Sequence, residues 1–281
     1  MRLSRSALYL PASNTRAIEK ARTLDCDAVI LDLEDAVERK EEARANAVAA
    51  VRAGGFDRRQ VVVRVNAVDD ATGRADLAAL ASVPVDAILL PKVNGPAVLH
   101  DARSALGSGA ALWAMIETPA AMLNIGAIAA AATDAGLAAL VAGTNDLAKD
   151  MRCRPGDGRE PLLAALSIMV IAARSANLAV LDGVCNALED AVRLERECAQ
   201  ARALGFDGKT LIHPAQIAAA NRAFLPEDAE VDWARSVVAA FRAPENADRG
   251  AIRVEGAMVE RLHLAEAERI MALARSAGKT P

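Results

Sequence analysis

Eight short apolar runs separated by Ala-rich amphipathic segments predict an α/β fold: a (β/α)8 TIM barrel with a C-terminal helical extension. Three observations carry this reading. The runs, at residues 7–11, 28–33, 61–65, 87–90, 111–116, 137–142, 178–181 and 209–212, are nearly continuous in apolar residues, as strands buried on both faces are. The segments between them have helical periodicity, so successive strands are expected to run parallel. The count of eight favours a barrel over a doubly wound sheet, and no Gly-x-Gly-x-x-Gly follows the first run.

Taken in order, the first run starts close behind the N-terminus and leads through Asn14 into a helix expected over residues 14–24. The second ends in Asp32-Leu33-Glu34-Asp35, ahead of a helix over 36–53. The third is apolar except for Arg64 and closes on Asn66, and the fourth passes into Pro91-Lys92. The fifth runs into Glu117 and a helix over 119–132, the sixth into Gly143-Thr144-Asn145-Asp146. After a helix over 160–175 the seventh meets Asp182, and after another over 187–204 the eighth meets His213. A helix over 214–224 ends the barrel, placing a boundary between residues 1–224 and 225–281. Beyond it the expectation is a helix from Pro226 to about Arg242, a loop over 243–256 and a Glu- and Arg-rich helix over 259–274. This extension is expected to pack on the barrel or on a neighbouring subunit.

Composition narrows the function. At 281 residues the chain has room for one large barrel. Hydrophobic residues make up 53% but aromatics only 2%, so the core must be built from Ala, Leu, Val and Ile. A formal net charge of −4 gives no basic footprint for nucleic acid. Cys26, Cys153, Cys185 and Cys198 have no CxxC spacing, which argues against a zinc knuckle or a disulfide framework. There is no signal-peptide pattern at the N-terminus and no apolar run of membrane-spanning length, so a soluble cytoplasmic protein is expected.

In a barrel, every strand end opens onto the face where active sites sit. Asn14, Asp32, Glu34, Asp35, Arg64, Asn66, Lys92, Glu117, Asn145, Asp146, Asp182 and His213 all fall at strand ends. Singly, an Asp or Asn there caps the next helix, as expected for Asp35 and Asp182. Glu117 and Asp146 stand out, because a carboxylate closing a buried strand is costly unless it is paired, hydrated or bound to a cation. Two on successive strands fit Mg²⁺, which takes one or two protein carboxylates and keeps waters. The alternative is that Glu117 pairs with Arg64 or Lys92 and Asp146 caps its helix.

Arg64, in an otherwise apolar strand, needs an anionic partner, and its planar fork suits a carboxylate. It is read as the substrate-carboxylate grip, with an ion pair to Asp32, Glu34 or Glu117 as the other reading. Strand alternation puts Asp32 and Glu34 on one side, where with Asp35 they would position Arg64 and metal-bound water. Lys92, or alternatively Lys209, could form a Schiff base with a carbonyl substrate; a salt bridge for Lys92 is equally expected. Arg16 and Lys20 share a helix face and could meet phosphates. His213 is read as a base or a capping group, with a structural or supporting role favoured.

These residues together resemble the citrate lyase beta-subunit-like family, which includes malyl-CoA and citramalyl-CoA lyases. The resemblance rests on Leu8-Tyr9-Leu10-Pro11-Ala12-Ser13-Asn14, Leu31-Asp32-Leu33-Glu34-Asp35-Ala36-Val37, Val63-Arg64-Val65-Asn66, Met115-Ile116-Glu117-Thr118-Pro119, Gly143-Thr144-Asn145-Asp146-Leu147 and the run Gly205-Phe206-Asp207-Gly208-Lys209-Thr210-Leu211-Ile212-His213-Pro214. It spans essentially the whole chain. It implies a TIM barrel, a homotrimer, Mg²⁺ held by Glu117 and Asp146, and substrate bound by Arg64 with Glu117 against it. It implies coenzyme A over the barrel face, with Asn14, Arg16 and Lys20 near its phosphates. The implied chemistry is cleavage or formation of a 3-hydroxyacyl thioester by retro-aldol or Claisen steps, with a small 2-oxo acid as partner.

One motif departs from that pattern. The family's lyases carry Gly-x-Met-Ile/Val-Asp in the extension, with the Asp as an acid/base reaching a neighbouring subunit; here the residues are Gly256-Ala257-Met258-Val259-Glu260. Glu260 keeps the carboxylate on a longer stem, and a displacement of about 1 Å can cost about a hundredfold in rate; the other reading is an ordinary first-turn residue favoured by the helix dipole. The expected function is therefore a Mg²⁺-dependent lyase of a short 3-hydroxy-dicarboxylyl-CoA, with Glu260 as acid/base. The alternatives are a malyl-CoA thioesterase, a citrate lyase beta subunit acting on a carrier thioester, an aldolase for free hydroxy acids, and a non-catalytic sensor of CoA esters.

Overall fold

Strands β1 (Ser6–Pro11), β2 (Ala28–Asp32), β3 (Gln60–Arg64), β4 (Ala87–Leu90), β5 (Ala111–Ile116), β6 (Leu137–Ala142), β7 (Ala179–Asp182) and β8 (Gly208–Leu211) pair in parallel with their sequence neighbours. Pairing of β1 with β8 closes the barrel. The computed structural model describes residues 4–35, 37–246 and 248–278. Ala36, the expected first residue of the second helix, and the first and last three residues of the chain lie outside them.

The helices are α1 (Thr15–Ala21), α2 (Lys40–Ala53), α3 (Ala71–Leu80), α4 (Pro96–Leu106), α5 (Pro119–Ala130), α6 (Ala132–Ala135), α7 (Thr144–Asp150), α8 (Leu163–Ser175), α9 (Ala191–Leu204), α10 (Ile217–Ala223), α11 (Asp228–Arg242) and α12 (Arg261–Ser276). Their starts are locally encoded. Asn14, Asp70, Thr118 and Asp190 accept hydrogen bonds from backbone N–H groups of the first turns, and Pro96 and Pro119 occupy positions where no N–H is needed.

Period-two alternation builds the barrel interior. Ala28 and Ile30, Val62, Ala87 and Leu89, Trp113 and Met115, and Ala139 and Val141 form one buried cluster. Continued one step further, the same phase reaches Asp32, Arg64, Glu117 and Gly143 at the strand ends. The strands thus aim a packed plug of side chains inward and then, at the C-terminal rim, the chemically active ones. Register places Asp32 directly beside Arg64 on β2 and β3.

The chain divides into two compact units, one Ser4–Ala223 and the other drawn chiefly from Phe224–Pro281. The second unit differs from the expected helix–loop–helix. Between α11 and α12 lies an antiparallel hairpin, β9 (Ala251–Val254) and β10 (Ala257–Glu260), so Val259 and Glu260 are strand residues and α12 begins at Arg261. Glu255 (φ +50°) and Gly256 (φ +85°) make the two-residue turn, the positive φ pair that tight hairpins require. Ile252, Val254 and Val259 pack with Val237 and Phe241 of α11 and with Ala267 and Ile270 of α12. No helix among the described residues is long and apolar enough to cross a membrane.

Candidate active site

The C-terminal ends of the strands enclose a cavity of about 300 Å³, walled by Tyr9, Asp32, Arg64, Met115, Thr144 and Asp146, among others. Arg64 organises one side. Its guanidinium grips Asp32 through two bonds, Nε to Oδ1 and Nη2 to Oδ2, both 2.7 Å. Nη1 lies 2.8 Å from Glu34 Oε2 and 3.3 Å from Asp35 Oδ2. Its Cζ sits 4.9 Å from the centre of the Tyr9 ring. Burial alone would lower the Arg64 pKa, but the hydrogen bonds and charge of Asp32, with Glu34, hold it above its ordinary value. Arg64 is therefore a fixed cation on the cavity wall.

Glu34, also buried, is pushed up from its usual carboxyl range by loss of solvent, partly offset by Arg64. Its Oε2 is buried and outside hydrogen-bonding geometry with any described partner. Lys92 Nζ stands 3.6 Å from Glu34 Oε1. The expected ion pair of Arg64 is thus made with Asp32 and Glu34 rather than with Glu117.

Glu117 closes the β5 side. It is 1% exposed, just behind the cavity wall, and its Oε1 accepts the backbone N–H of Lys92 at 2.7 Å. Neither alternative expected for it holds: the contact is with the Lys92 peptide, not with the ammonium of Lys92 or with Arg64. Thr118 and Pro119 start α5 immediately afterwards and pin this position. Gly143 makes the room, because a Cβ there would fall 2.3 Å from Glu117 Cβ and 2.8 Å from Oε2. Burial pushes the Glu117 carboxyl up to about 7; Glu34 and Asp146 add to that, while the Lys92 N–H and Arg64 oppose it.

Asp146 lies in the first turn of α7, where the helix dipole favours a carboxylate, while Gly143 holds the cap position. It is half-buried, and its Oδ1 accepts from Lys149 Nζ at 3.0 Å. The β5–β6 rim thus carries a carboxyl whose proton affinity burial has raised, beside a second carboxylate. Among the described residues no group of three or more His, Cys, Asp or Glu could hold a metal unaided. The donor set instead suits Mg²⁺, with two carboxylates and the remaining positions left to water and substrate oxygens. A cation here would offset the desolvation that raises the Glu117 pKa.

The other expected residues divide. Asn14 accepts from Ala17 N to cap α1, and Arg16 and Lys20 are exposed on that helix. His213 is exposed and accepts from Ala215 N through Nδ1, the structural role expected of it. Asp182 is not a helix cap. It is fully buried, and it binds Arg159 Nη1 at 2.8 and 2.9 Å and Lys209 Nζ at 2.7 Å. Lys209, also 0% exposed, further reaches Gly183 O at 2.5 Å and Glu197 Oε2 at 3.2 Å. That network withholds its amine from imine chemistry. Glu260 belongs to the second unit; it is exposed, and its N–H donates to His263 Nδ1 at 2.9 Å.

Asn186 and Val184 were not singled out in the sequence, and Tyr9 and Asn145 were given no role there. Tyr9, the sole tyrosine of the chain, lies in phase with the interior-facing Ala7 and carries Arg64 over its ring, a signal available in its rarity and its place near a strand end. Asn145 and Asn186 hydrogen-bond side chain to side chain at 2.7 Å. With Thr144 and Val184 they divide the cavity from a second one of about 350 Å³.

A closed parallel barrel whose C-terminal rim gathers an arginine clamp and two carboxylates around one cavity has the layout of the barrels that place their active sites at that face. The family is also evident: the chain belongs to the HpcH/HpaI aldolase/citrate lyase family, whose model matches residues 5–214. A (3S)-malyl-CoA thioesterase of Cereibacter sphaeroides is 44% identical over 97% of this chain and 95% of its own length. The citrate lyase subunit beta of Leuconostoc mesenteroides subsp. cremoris is 31% identical, covering 98% and 94%. Among solved structures, the protein CitE of Mycobacterium tuberculosis in complex with magnesium, acetoacetate and coenzyme A is 32% identical, covers 97% of each chain and superposes with a TM-score of 0.78.

Proposed function

We propose that the protein is a Mg²⁺-dependent carbon–carbon lyase acting on a short 3-hydroxy-dicarboxylyl-CoA of the malyl-CoA or citramalyl-CoA type. The products would be acetyl-CoA and a 2-oxo acid. The observation that carries this reading is a cavity lined by fixed Arg64 and Asp146, with buried Glu117 directly behind its Gly143 wall. Arg64 binds the substrate carboxylate, and Asp32 and Glu34, with Asp35, keep its fork in place. Glu117 and Asp146 hold the metal, with Glu117 also lying against the substrate. Bound Mg²⁺ would supply Lewis-acid polarisation of the hydroxy-acid end.

That end is where the bond breaks. The hydroxyl gives its proton to a base, the bond from the carbinol carbon to the thioester α-carbon cleaves, and its electron pair leaves as the acetyl-CoA enolate. Protonation of the enolate carbon completes the balance. Glu260 is proposed as the acid/base, in its own or a neighbouring subunit of a homotrimer. Exposed Arg16 and Lys20, with Asn14, are proposed to meet the coenzyme A phosphates.

A second reading, hydrolysis of the same thioester to malate and free coenzyme A, has two specific supports. They are the 44% identical thioesterase and the Glu where the lyase pattern has Asp. One assay decides: purified protein with Mg²⁺ and malyl-CoA or citramalyl-CoA, following 2-oxo acid and free thiol together. Stoichiometric 2-oxo acid supports the lyase, and thiol without 2-oxo acid replaces it with the thioesterase. Full activity surviving both EDTA and Glu117→Ala would defeat both.

A further inference from the structure

The residue that touches Glu117 does so with its main chain, in an unusual conformation. β4 ends at Leu90, and two residues on Lys92 has φ +51°, in the left-handed region that is costly for a side chain with a Cβ. Its peptide N–H donates to Glu117 Oε1 at 2.7 Å. Its ammonium is only loosely engaged, with the side chain 50% exposed and Nζ 3.6 Å from Glu34 Oε1.

We propose that Lys92 is a positioning residue for Glu117 and acts through its backbone, fixing one carboxylate oxygen so that the other is presented for metal binding. This rests on the reading of Glu117 as a Mg²⁺ ligand. A buried carboxylate with one oxygen held by a peptide donor has little rotational freedom, and the groups that orient metal ligands tune affinity strongly. Oε2 lies on the side toward Gly143, where the missing Cβ leaves room beside it. The peptide N–H, carried on a left-handed turn, is therefore the orienting group, and the lysine side chain is a secondary feature beside Glu34.

The two roles separate by substitution, with Mg²⁺ binding to the full-length protein measured by calorimetric titration and folding checked by a cooperative thermal transition. Lys92→Gly keeps the N–H and favours positive φ but loses the amine. Lys92→Pro removes the N–H and fixes φ near −65°. Lys92→Val keeps the N–H but disfavours the left-handed region, and it decides the matter if the proline variant does not fold. The expected result is a Mg²⁺ Kd within about threefold of the parent for Lys92→Gly, and about 10- to 100-fold weaker for Lys92→Pro and Lys92→Val. Equal weakening in Lys92→Gly and Lys92→Pro would transfer the role to the ammonium, and parent-like binding in Lys92→Pro or Lys92→Val would overturn the proposal. Glu117→Gln separates the two levels. If it too binds Mg²⁺ like the parent, the metal-site reading falls; if it loses binding while Lys92→Pro keeps it, only the positioning role falls.

Discussion

The β2–β3 and β5–β6 rims of the same barrel mouth handle charge in opposite ways. On the first, Arg64 meets Asp32 in a two-bond fork and reaches Glu34 and Asp35. On the second, Glu117 is buried with one main-chain donor, and the nearby carboxylates Glu34 and Asp146 push its proton affinity up. On the first rim the protein supplies a cation for its buried carboxylates; on the second the buried carboxyl has a main-chain donor alone. The difference teaches that one barrel mouth can neutralise buried charge with a protein counter-ion on one side and leave it to a main-chain donor on the other.

The largest break in that contrast is Arg64→Ala, which strands Asp32 and Glu34 without their cation. Breaking a buried pair this way costs roughly 3–5 kcal/mol, measurable as a lowered unfolding midpoint in denaturant, with substrate binding lost. Arg64→Lys keeps the charge but not the fork and should fall between. A parent-like midpoint in Arg64→Ala would show that this rim is not held by charge.

On the other rim, Glu117 predicts an inverted pH dependence for the metal-free protein. An ordinary glutamate ionises near 4.5, whereas this one is pushed up to about 7. Below 4.5 both folded and unfolded chains hold the proton. Between 4.5 and 7 the unfolded chain releases it first, so this group's contribution to stability falls as pH rises and levels off above 7. The loss is roughly 3 kcal/mol from the shift. Melts in EDTA from pH 5 to 8 should show the decline, Glu117→Gln should flatten it, and Mg²⁺ should reverse it at pH 8. A decline unchanged in Glu117→Gln would assign it elsewhere.

Smaller still is Gly143→Ala, which forces a methyl to within 2.3 Å of Glu117 Cβ. Overpacking of this kind costs about 1–3 kcal/mol and should weaken Mg²⁺ binding while leaving the Arg64 side intact. Equal loss of Mg²⁺ affinity and of a Mg²⁺-independent carboxylate ligand would show that the two rims are not separable.

Much of this contrast was legible in the sequence because alternation and strand count act locally. The eight strands, Arg64 in an apolar run, and Glu117 and Asp146 at successive strand ends need only periodicity and the direction of a barrel. What stayed hidden depends on tertiary approach or on main-chain torsion. Asp182 reads as a cap until Lys209 and Arg159 arrive from other parts of the chain. Lys92 reads as an ammonium, because no side-chain pattern reports its φ. The β9–β10 hairpin is four residues per strand with a Glu-Gly turn, too short for its alternation to stand out against a loop.

The burial of Lys209 has a practical corollary. With its Nζ shared among Asp182, Gly183 and Glu197 and 0% exposed, it resists amine-directed reagents while the barrel stays closed. Its modification rate, followed by mass spectrometry beside that of half-exposed Lys92, becomes a clock for local opening of the β7–β8 staves. The most deeply held amine on the rim thus doubles as a built-in reporter of how often the barrel breathes.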